Sequence, residues 1–568
     1  MREDGLAGGA DGADRLGELI PVALRGMAAG IAERGGPIPA GGPAAVAAAL
    51  VAEGGELDAG VAGHAGGEGA AGSDRSAAPA GAAREPAAAG EAAAAAVLSA
   101  EPGVVECSAR QPASAVLSAE PGATERGARR PAARPSEPEP VSGTGATTGA
   151  LPRRGVGAEA ALEELSRLLA AGSADPADPG CAAHLHCPPL AVAVAADVVA
   201  SALNPSMDSW DQAPVASELE REFTAGIARL CYPHAGTPDA VVTTGGTESN
   251  LLGLLLAREH GIRQVVCGAN AHHSVARAAW LLGLPAPVVV PCERDRLLPG
   301  ALADAAGPHT VVVATAGTTN TGTLDPLPEI AGICRRAGAR LHVDAAYGGT
   351  ALCSDALRPK LAGLELADSV ALDLHKFGWQ PVAAGLFAAR EAADLAALTV
   401  RAEYLNAGDD TEAGLPDLLG RSIRTSRRPD AFRMAVTVRA LGTDGLGALV
   451  ERCCATATQV AELVDAHPGL RLWGPPELST VVLRPVAAEE TGGDELVARI
   501  RRALLEAGTA VIGRAALPTG PGGATQLWLK LTLLHPHTTA ADYRTLLDRI
   551  VATAGAELVA VRENPVAS

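Results

Sequence analysis

Lysine is scarce in this chain. Among 568 residues it occurs only at positions 360, 376 and 530, and the rest of the basic charge is arginine. Lys376 follows an apolar run in Asp373-Leu374-His375-Lys376, at the carboxyl end of an expected strand, where α/β proteins present groups to a ligand. Lys360 lies in a polar loop after Pro359, and Lys530 lies inside an apolar strand pattern. Gly245-Gly246-Thr247 separates a strand-like run from a helical one. Two glycines allow close backbone approach, and a helix N-terminus offers free N–H groups to an anion. A plain turn capped by Thr247 is the commoner use of such a sequence. Asp344 ends a further strand in His342-Val343-Asp344-Ala345-Ala346, where a helix cap or a metal ligand are the alternatives to a ligand-facing carboxylate. A phosphate cradle, a strand-end aspartate and a strand-end lysine 32 residues later form a set that fits pyridoxal phosphate. The lysine takes the aldehyde, the aspartate keeps the pyridine nitrogen protonated, and the helix end holds the phosphate.

Other chemistries fit less well. No lysine follows the glycines as a phosphate-binding P-loop needs, and the spacing does not match a dinucleotide fingerprint. The histidine pairs 184/186 and 535/537 have metal-sharing spacing, but no third and fourth ligands accompany them, so no metal site is expected. His272 and His273 could simply cap the helix that begins near Ser274. Cys453-Cys454 falls in a helical pattern and reads as core.

These residues need a frame. Strand-like runs at 240–244, 264–267, 287–290, 310–315, 340–344 and 369–374 alternate with helical ones at 247–259, 274–282 and 327–337. That alternation predicts an α/β sheet with helices on both faces. Beyond about Asp430 come long helices (431–441, 445–467) and then strands (479–483, 526–534), which predict a smaller α+β domain. At the other end, 158–171 reads as a helix, and 16–53 has some helical spacing. Between 61 and 100, 27 of 40 residues are Ala, Gly or Pro, and no aromatic residue precedes Trp210. The octapeptide at 96–103 recurs at 115–122. Such a stretch cannot bury enough apolar surface to offset chain entropy, so 55–150 is expected to be a disordered insert. Its removal between Gly60 and Ala146 is expected to leave turnover nearly unchanged, because long insertions cost little when their ends stay close.

The net charge of −19 argues against a general nucleic-acid binder. No apolar run is long enough for a membrane span, no secretory signal is visible, and ten cysteines without a CxxC pair do not make a disulfide framework. A cytoplasmic protein is the expectation.

Several motifs stand in one order: His184-Leu185-His186-Cys187-Pro188-Pro189, Ser209-Trp210-Asp211-Gln212, Gly245-Gly246-Thr247-Glu248-Ser249-Asn250, His272-His273-Ser274-Val275, Ala316-Gly317-Thr318-Thr319, Asp344-Ala345-Ala346-Tyr347 and Asp373-Leu374-His375-Lys376. From about Cys181 onward the chain resembles the group II pyridoxal-phosphate-dependent amino-acid decarboxylases, with Gly35 to Glu53 similar to that family's N-terminal segment. The resemblance implies fold type I (aspartate aminotransferase-like): a PLP-binding large domain over 191–430 and a small domain over 431–568. The N-terminal segment would comprise 1–54 and 151–190. It implies that Lys376 is the Schiff-base lysine and that Asp344 pairs with the pyridine nitrogen. Ala346 would pack on the ring, and His272 would stack on its other face. Gly246, Thr247 and His375 would hold the phosphate with Asp373 nearby, and Thr319 would hydrogen-bond the cofactor. Tyr404, in Glu403-Tyr404-Leu405, matches a tyrosine on the family's mobile catalytic loop, where an ordinary loop aromatic is the alternative.

The resemblance further implies a homodimer acting on a small amino acid. Leu203 to Gln212, Gln380-Pro381 and Ser426-Arg427-Arg428 look most like the bacterial branch that acts on diaminobutyrate, lysine or ornithine. Phe377-Gly378-Trp379 departs from that branch, and Leu185-His186-Cys187 lies where the family places substrate-pocket residues. An apolar substrate such as valine therefore stays open, as do another PLP carbon–carbon lyase and a catalytically silent assembly protein. Asp208 is a candidate acidic partner for a distal amine.

Overall fold

Short runs rich in Val and Ala become strands that, apart from the edge strand Val288–Val290, are largely buried on both faces, as a sheet sandwiched between helix layers requires. The computed structural model describes residues 12–41, 45–46, 154–399, 405, 407–491, 493–518 and 523–563. The expected insert at 55–150 and Tyr404 lie outside the described residues.

The main sheet has seven strands: β2 (Asp239–Thr243), β3 (Gln264–Gly268), β4 (Val288–Val290), β5 (Thr310–Thr315), β6 (Arg340–Asp344), β7 (Ser369–Asp373) and β8 (Gly385–Ala389). Their order across the sheet is β2-β8-β7-β6-β5-β3-β4. The strands from β7 to β4 run parallel, and β8 enters antiparallel between β7 and β2. Gly385 at the start of β8 therefore pairs with both Asp373 and Thr243. Thr243, Thr315, Asp344 and Asp373 consequently end on one edge, the carboxyl edge where such sheets take ligands.

Helices cover both faces. α5 (Gly246–Glu259) and α6 (His273–Leu281) pack on one, through Leu252, Leu254 and Val275 against Val241, Val265 and Val311. On the other, α4 (Pro214–Cys231), α7 (Leu327–Ala337) and the start of α8 (Asp430–Asp465) pack on Val242, Val312, Val343 and Val370. α8 is two helices joined across Gly442, whose φ of 68° breaks the helical path. It lies in the main core through Met434 before that break and Val450 after it, and its last turns enter a second core through Val460 and Val464. That second core backs a five-stranded sheet ordered β1-β11-β12-β10-β9: β1 (Cys181–Ala182), β9 (Leu470–Leu472), β10 (Thr480–Pro485), β11 (Val511–Pro518) and β12 (Thr525–Thr532). α9 (Gly493–Glu506) and α10 (Arg544–Glu563) contribute Ile500 and Ile550 to it. α1 (Gly12–Arg34) pairs with α2 (Ala158–Ala171), and α3 (Ala191–Leu203) packs on α8. Among the described residues, no helix is long and apolar enough to cross a membrane.

Candidate active site

A cleft of ≈ 480 Å³ opens at the carboxyl edge of the main sheet. Its floor is set by β2 and the turn into α5. Gly245 takes φ 151°, a conformation that favours glycine, and a Cβ there would stand 2.9 Å from His375 Cε1. A Cβ on Gly246 would stand 2.8 Å from that of Ala346 and 3.3 Å from Asp373 Oδ2. Glu248 holds the turn in shape, because its Oε2 accepts from both the backbone N–H and the hydroxyl of Thr244, each at 2.7 Å. The first α-helical bond closes only at Ser249 N–H to Gly245 O (3.0 Å), so the amides before it are left for an anion.

The wall comes from the ends of β6 and β7. Asp344 is buried, accepting Ala346 N–H on Oδ1 (3.1 Å) and Asn250 Nδ2 on Oδ2 (2.8 Å). Lys376 lies one turn past β7, with its Nζ 2.8 Å from Asp373 Oδ2. Asp373 Oδ1 is buried without a hydrogen-bond partner, an orphaned atom facing this cradle. His375 Nδ1 accepts Ala384 N–H (3.1 Å), which leaves the ring proton on Nε2, 3.6 Å from Asp373. Burial lowers the His375 pKa below the usual imidazole range, an effect that Asp373 partly offsets. Cys187 packs beneath it, donating Sγ–H to His375 O at 3.2 Å.

His272 caps α6 and lines the cleft as well; the two readings of this residue hold together. Its Nδ1 accepts from Ser274 N–H (3.3 Å) and lies 2.8 Å from Ser274 Oγ, and burial lowers its pKa too. Thr247 and Thr319 stand on the same cleft. The structure thus brings together Gly246, Thr247, His272, Thr319, Asp344, Ala346, Asp373, His375 and Lys376, from points spread over 131 residues. A floor that no Cβ can occupy, a helix end, an amine and a strand-end carboxylate fit a flat, phosphorylated, aldehyde-bearing ring.

Lys530 lies in the expected strand, but the sequence did not single it out as a site residue. β12 delivers its side chain to this cleft, where Nζ donates to Thr319 O at 2.7 Å. It is 6% exposed, and burial pulls its pKa below the usual lysine range, an effect partly offset by Asp295. Asp295 is itself buried and accepts the hydroxyls of Thr318 (2.5 Å) and Thr321 (2.6 Å), which fixes the loop carrying Thr319. The available signal was a lysine inside an apolar strand in a chain with only three. His184 and Leu185 also line the cleft, whereas His186 is exposed and Cys187 is buried under His375. Asp208 is not on the cleft: its Oδ2 accepts from Ser426 Oγ at 3.3 Å. Among the described residues, no group of three His, Cys, Asp or Glu side chains is arranged to hold a metal ion.

The pyridoxal-dependent decarboxylase conserved domain matches residues 147–485. The L-2,4-diaminobutyrate decarboxylase of Rhizobium meliloti (strain 1021) is 38% identical over 423 residues, spanning 71% of this chain and 83% of that one. The protein of the same name from Acinetobacter baumannii is 31% identical over 448 residues, 71% of this chain and 85% of its own. Among solved structures, the glutamate decarboxylase domain of diaminobutyrate-pyruvate transaminase and L-2,4-diaminobutyrate decarboxylase from Vibrio parahaemolyticus superposes with a TM-score of 0.62 at 28% identity. That superposition covers 71% of this chain and 87% of the other. Oryza sativa TDC with PLP and tryptamine superposes with a TM-score of 0.65 over 72% and 90% of the two chains, at 22% identity, a likeness of fold.

Proposed function

This chain belongs to the pyridoxal-dependent decarboxylases, enzymes that release CO2 from an amino acid with pyridoxal phosphate as cofactor, and from that premise we propose L-2,4-diaminobutyrate as its substrate. The observation that carries the mechanistic reading is the convergence of the Lys376 amine, the Asp344 carboxylate and the α5 N-terminus on one cleft. Two relatives named for diaminobutyrate support the substrate.

In this reading Lys376 would hold the cofactor through its aldehyde. Asp344 holds the ring nitrogen's proton. The α5 amides, Thr247 and the Nε2–H of His375 would take the phosphate, and Ala346 and His272 would hold the ring. When bound, the cofactor supplies an electron sink for the pair left as the Cα–carboxylate bond breaks. Lys530 presents a buried cation to the α-carboxylate, and Thr319 orients that cation through its carbonyl. Tyr404, assigned from its loop motif, delivers the proton to Cα after CO2 leaves. The enzyme works as a cytoplasmic homodimer; Leu24 (51% exposed), Leu165 (58%) and Leu169 (71%) on α1 and α2 support a covering second copy.

A second reading, an apolar substrate such as valine, is favoured by Leu185 and Val382 on the cleft wall. Purified holoenzyme offered single amino acids, with CO2 release followed, tests both. Preferential release from diaminobutyrate over lysine, ornithine and valine is expected, and preferential release from valine would overturn the assignment.

A further inference from the structure

Two buried side chains, one on the cleft wall and one beneath it, are not surplus packing. Asn250 lies on α5 and His342 on β6, and both are 0% exposed. We propose that Asn250 and His342 are positioning residues that fix Asp344 and His272 together through one directed hydrogen-bond chain. The proposal rests on the preceding reading for what Asp344 and His272 do, but not for the chain itself.

The direction of every hydrogen in the chain is determined. Ser274 N–H points at His272 Nδ1, so that nitrogen is an acceptor. Ser274 Oγ, 2.8 Å from the same nitrogen, must then donate to it, and must itself accept from Asn250 Nδ2 at 2.9 Å. The other hydrogen of Nδ2 goes to Asp344 Oδ2 at 2.8 Å. Both amide hydrogens are now committed, so Asn250 Oδ1 accepts, and His342 Nε2, 2.9 Å away, donates. His342 Nδ1 is then bare and accepts the hydroxyl of Ser369 at 2.9 Å. The opposite amide orientation would set Oδ1 against the Asp344 carboxylate, acceptor against acceptor. Donors therefore run one way, from Ser369 through His342, Asn250 and Ser274 to His272, with a branch to Asp344. The last ring is left with its proton on Nε2.

The scaffold is shaped for this chain. His342 and Asp344 alternate with the buried Val343, so both side chains face α5. Ser369 is the register partner of His342 across β6 and β7. On α5, a Cβ at Gly253 would stand 2.7 Å from His342 Nδ1. A glycine inside a helix is unfavourable relative to alanine, and here it makes room for an imidazole. Phe387 covers the ring with its centroid 6.2 Å away. Burial also holds His342 neutral, with its pKa down to about 4, so the direction persists at working pH. Packing alone would be met by leucine at 342 and alanine at 253.

The test reads histidine tautomers in sedimented holoenzyme labelled with ¹⁵N-histidine, by solid-state NMR, with the His272 signals identified by their loss in His272→Gln. The wild type and Ser274→Thr are expected to show His272 protonated on Nε2 alone. Ser274→Ala leaves Nδ1 only the long 3.3 Å bond from the backbone N–H, and Asn250→Asp draws the Ser274 hydroxyl hydrogen away from Nδ1, so both are expected to show a minor Nδ1-protonated form beside the Nε2 one. Cofactor affinity is the second readout. His342→Gln keeps a donor near the Nε2 position and stays within about twofold, whereas His342→Leu weakens pyridoxal phosphate binding by about tenfold. An unchanged tautomer in Ser274→Ala, or equal cofactor affinity in His342→Gln and His342→Leu, would overturn the proposal. If diaminobutyrate fails as substrate, neither readout moves, so the two failures stay distinguishable.

Discussion

Removing the Lys530 ammonium, by Lys530→Met, tests whether the second lysine of the cleft handles the substrate or merely packs. Methionine keeps the length and the apolar stem, so the change is confined to the Nζ group, its bond to Thr319 O (2.7 Å) and its charge opposite Asp295. A hydrogen bond to a charged group contributes about 1.5–3 kcal/mol. At 1.36 kcal/mol per decade, kcat/KM for the amino acid should fall roughly 10- to 150-fold. The amine product has no carboxylate, so its inhibition constant should change by less than about threefold. The sign of the pH dependence follows from the lowered lysine pKa: the charged form binds, so kcat/KM falls as pH rises through a value below the usual lysine range. Lys530→Arg, which stays protonated, should lose that alkaline limb. Steady-state kinetics with substrate and product decide the matter. Equal weakening of both, or a kcat/KM within about threefold of wild type, would refute the role of Lys530 in holding the carboxylate.

Lys376→Ala should abolish the visible cofactor band and turnover, and borohydride should fix the pyridoxyl label on Lys376 in the wild type; a label on Lys360 or Lys530 would sink that assignment. Asp344→Asn should lower kcat about 100-fold or more while the protein still binds cofactor, since it removes the fixed charge that answers the ring nitrogen; near-normal kcat would count against it. His342 is neutral in the fold down to about pH 4 but has an ordinary pKa of 6.5 when unfolded. The unfolded chain therefore binds the proton first, and the wild type should lose on the order of 3 kcal/mol of stability as pH falls through that window. Denaturant titrations at several pH values should show a shallower decline in His342→Gln, and parallel curves would contradict it. Tyr404→Phe should keep CO2 release but slow protonation at Cα, so that in air aldehyde and ammonia rise relative to amine; an unchanged amine yield at normal turnover removes Tyr404 from the chemistry.

Strand ends were legible because they are local. Asp344 and Lys376 each follow an apolar run and precede a break, and the Gly245-Gly246 turn sits between two periodicities, so position along the chain predicts position on the sheet edge. Lys530 was not legible in this way. Alternation along β12 says which faces are apolar, but not that the strand's tilt in a second sheet carries one side chain over Thr319. Asn250 and His342 are 92 residues apart and meet only through the packing of α5 on β6. β8 was missed for a different reason: Gly-Leu-Phe-Ala-Ala carries little β propensity, and its strand character comes from two flanking ladders. The break at Gly442 was readable, since the expected helices end and restart on either side of it.

The position of β8 bears on how the chain acquires its site during synthesis. β2 is an edge strand whose neighbour is β8, which follows it by more than a hundred residues of sequence. Until the ribosome has released Gly385 to Ala389, the turn at Gly245 has no sheet to hold it beside Asp373, even though β3 to β7 can already be paired. The parallel half of the sheet therefore forms early, and closure of the phosphate end waits for one late antiparallel insertion, a long-range contact of the kind that slows folding. Nascent chains arrested before Gly385 should not retain pyridoxal phosphate, whereas chains extended through β12 should.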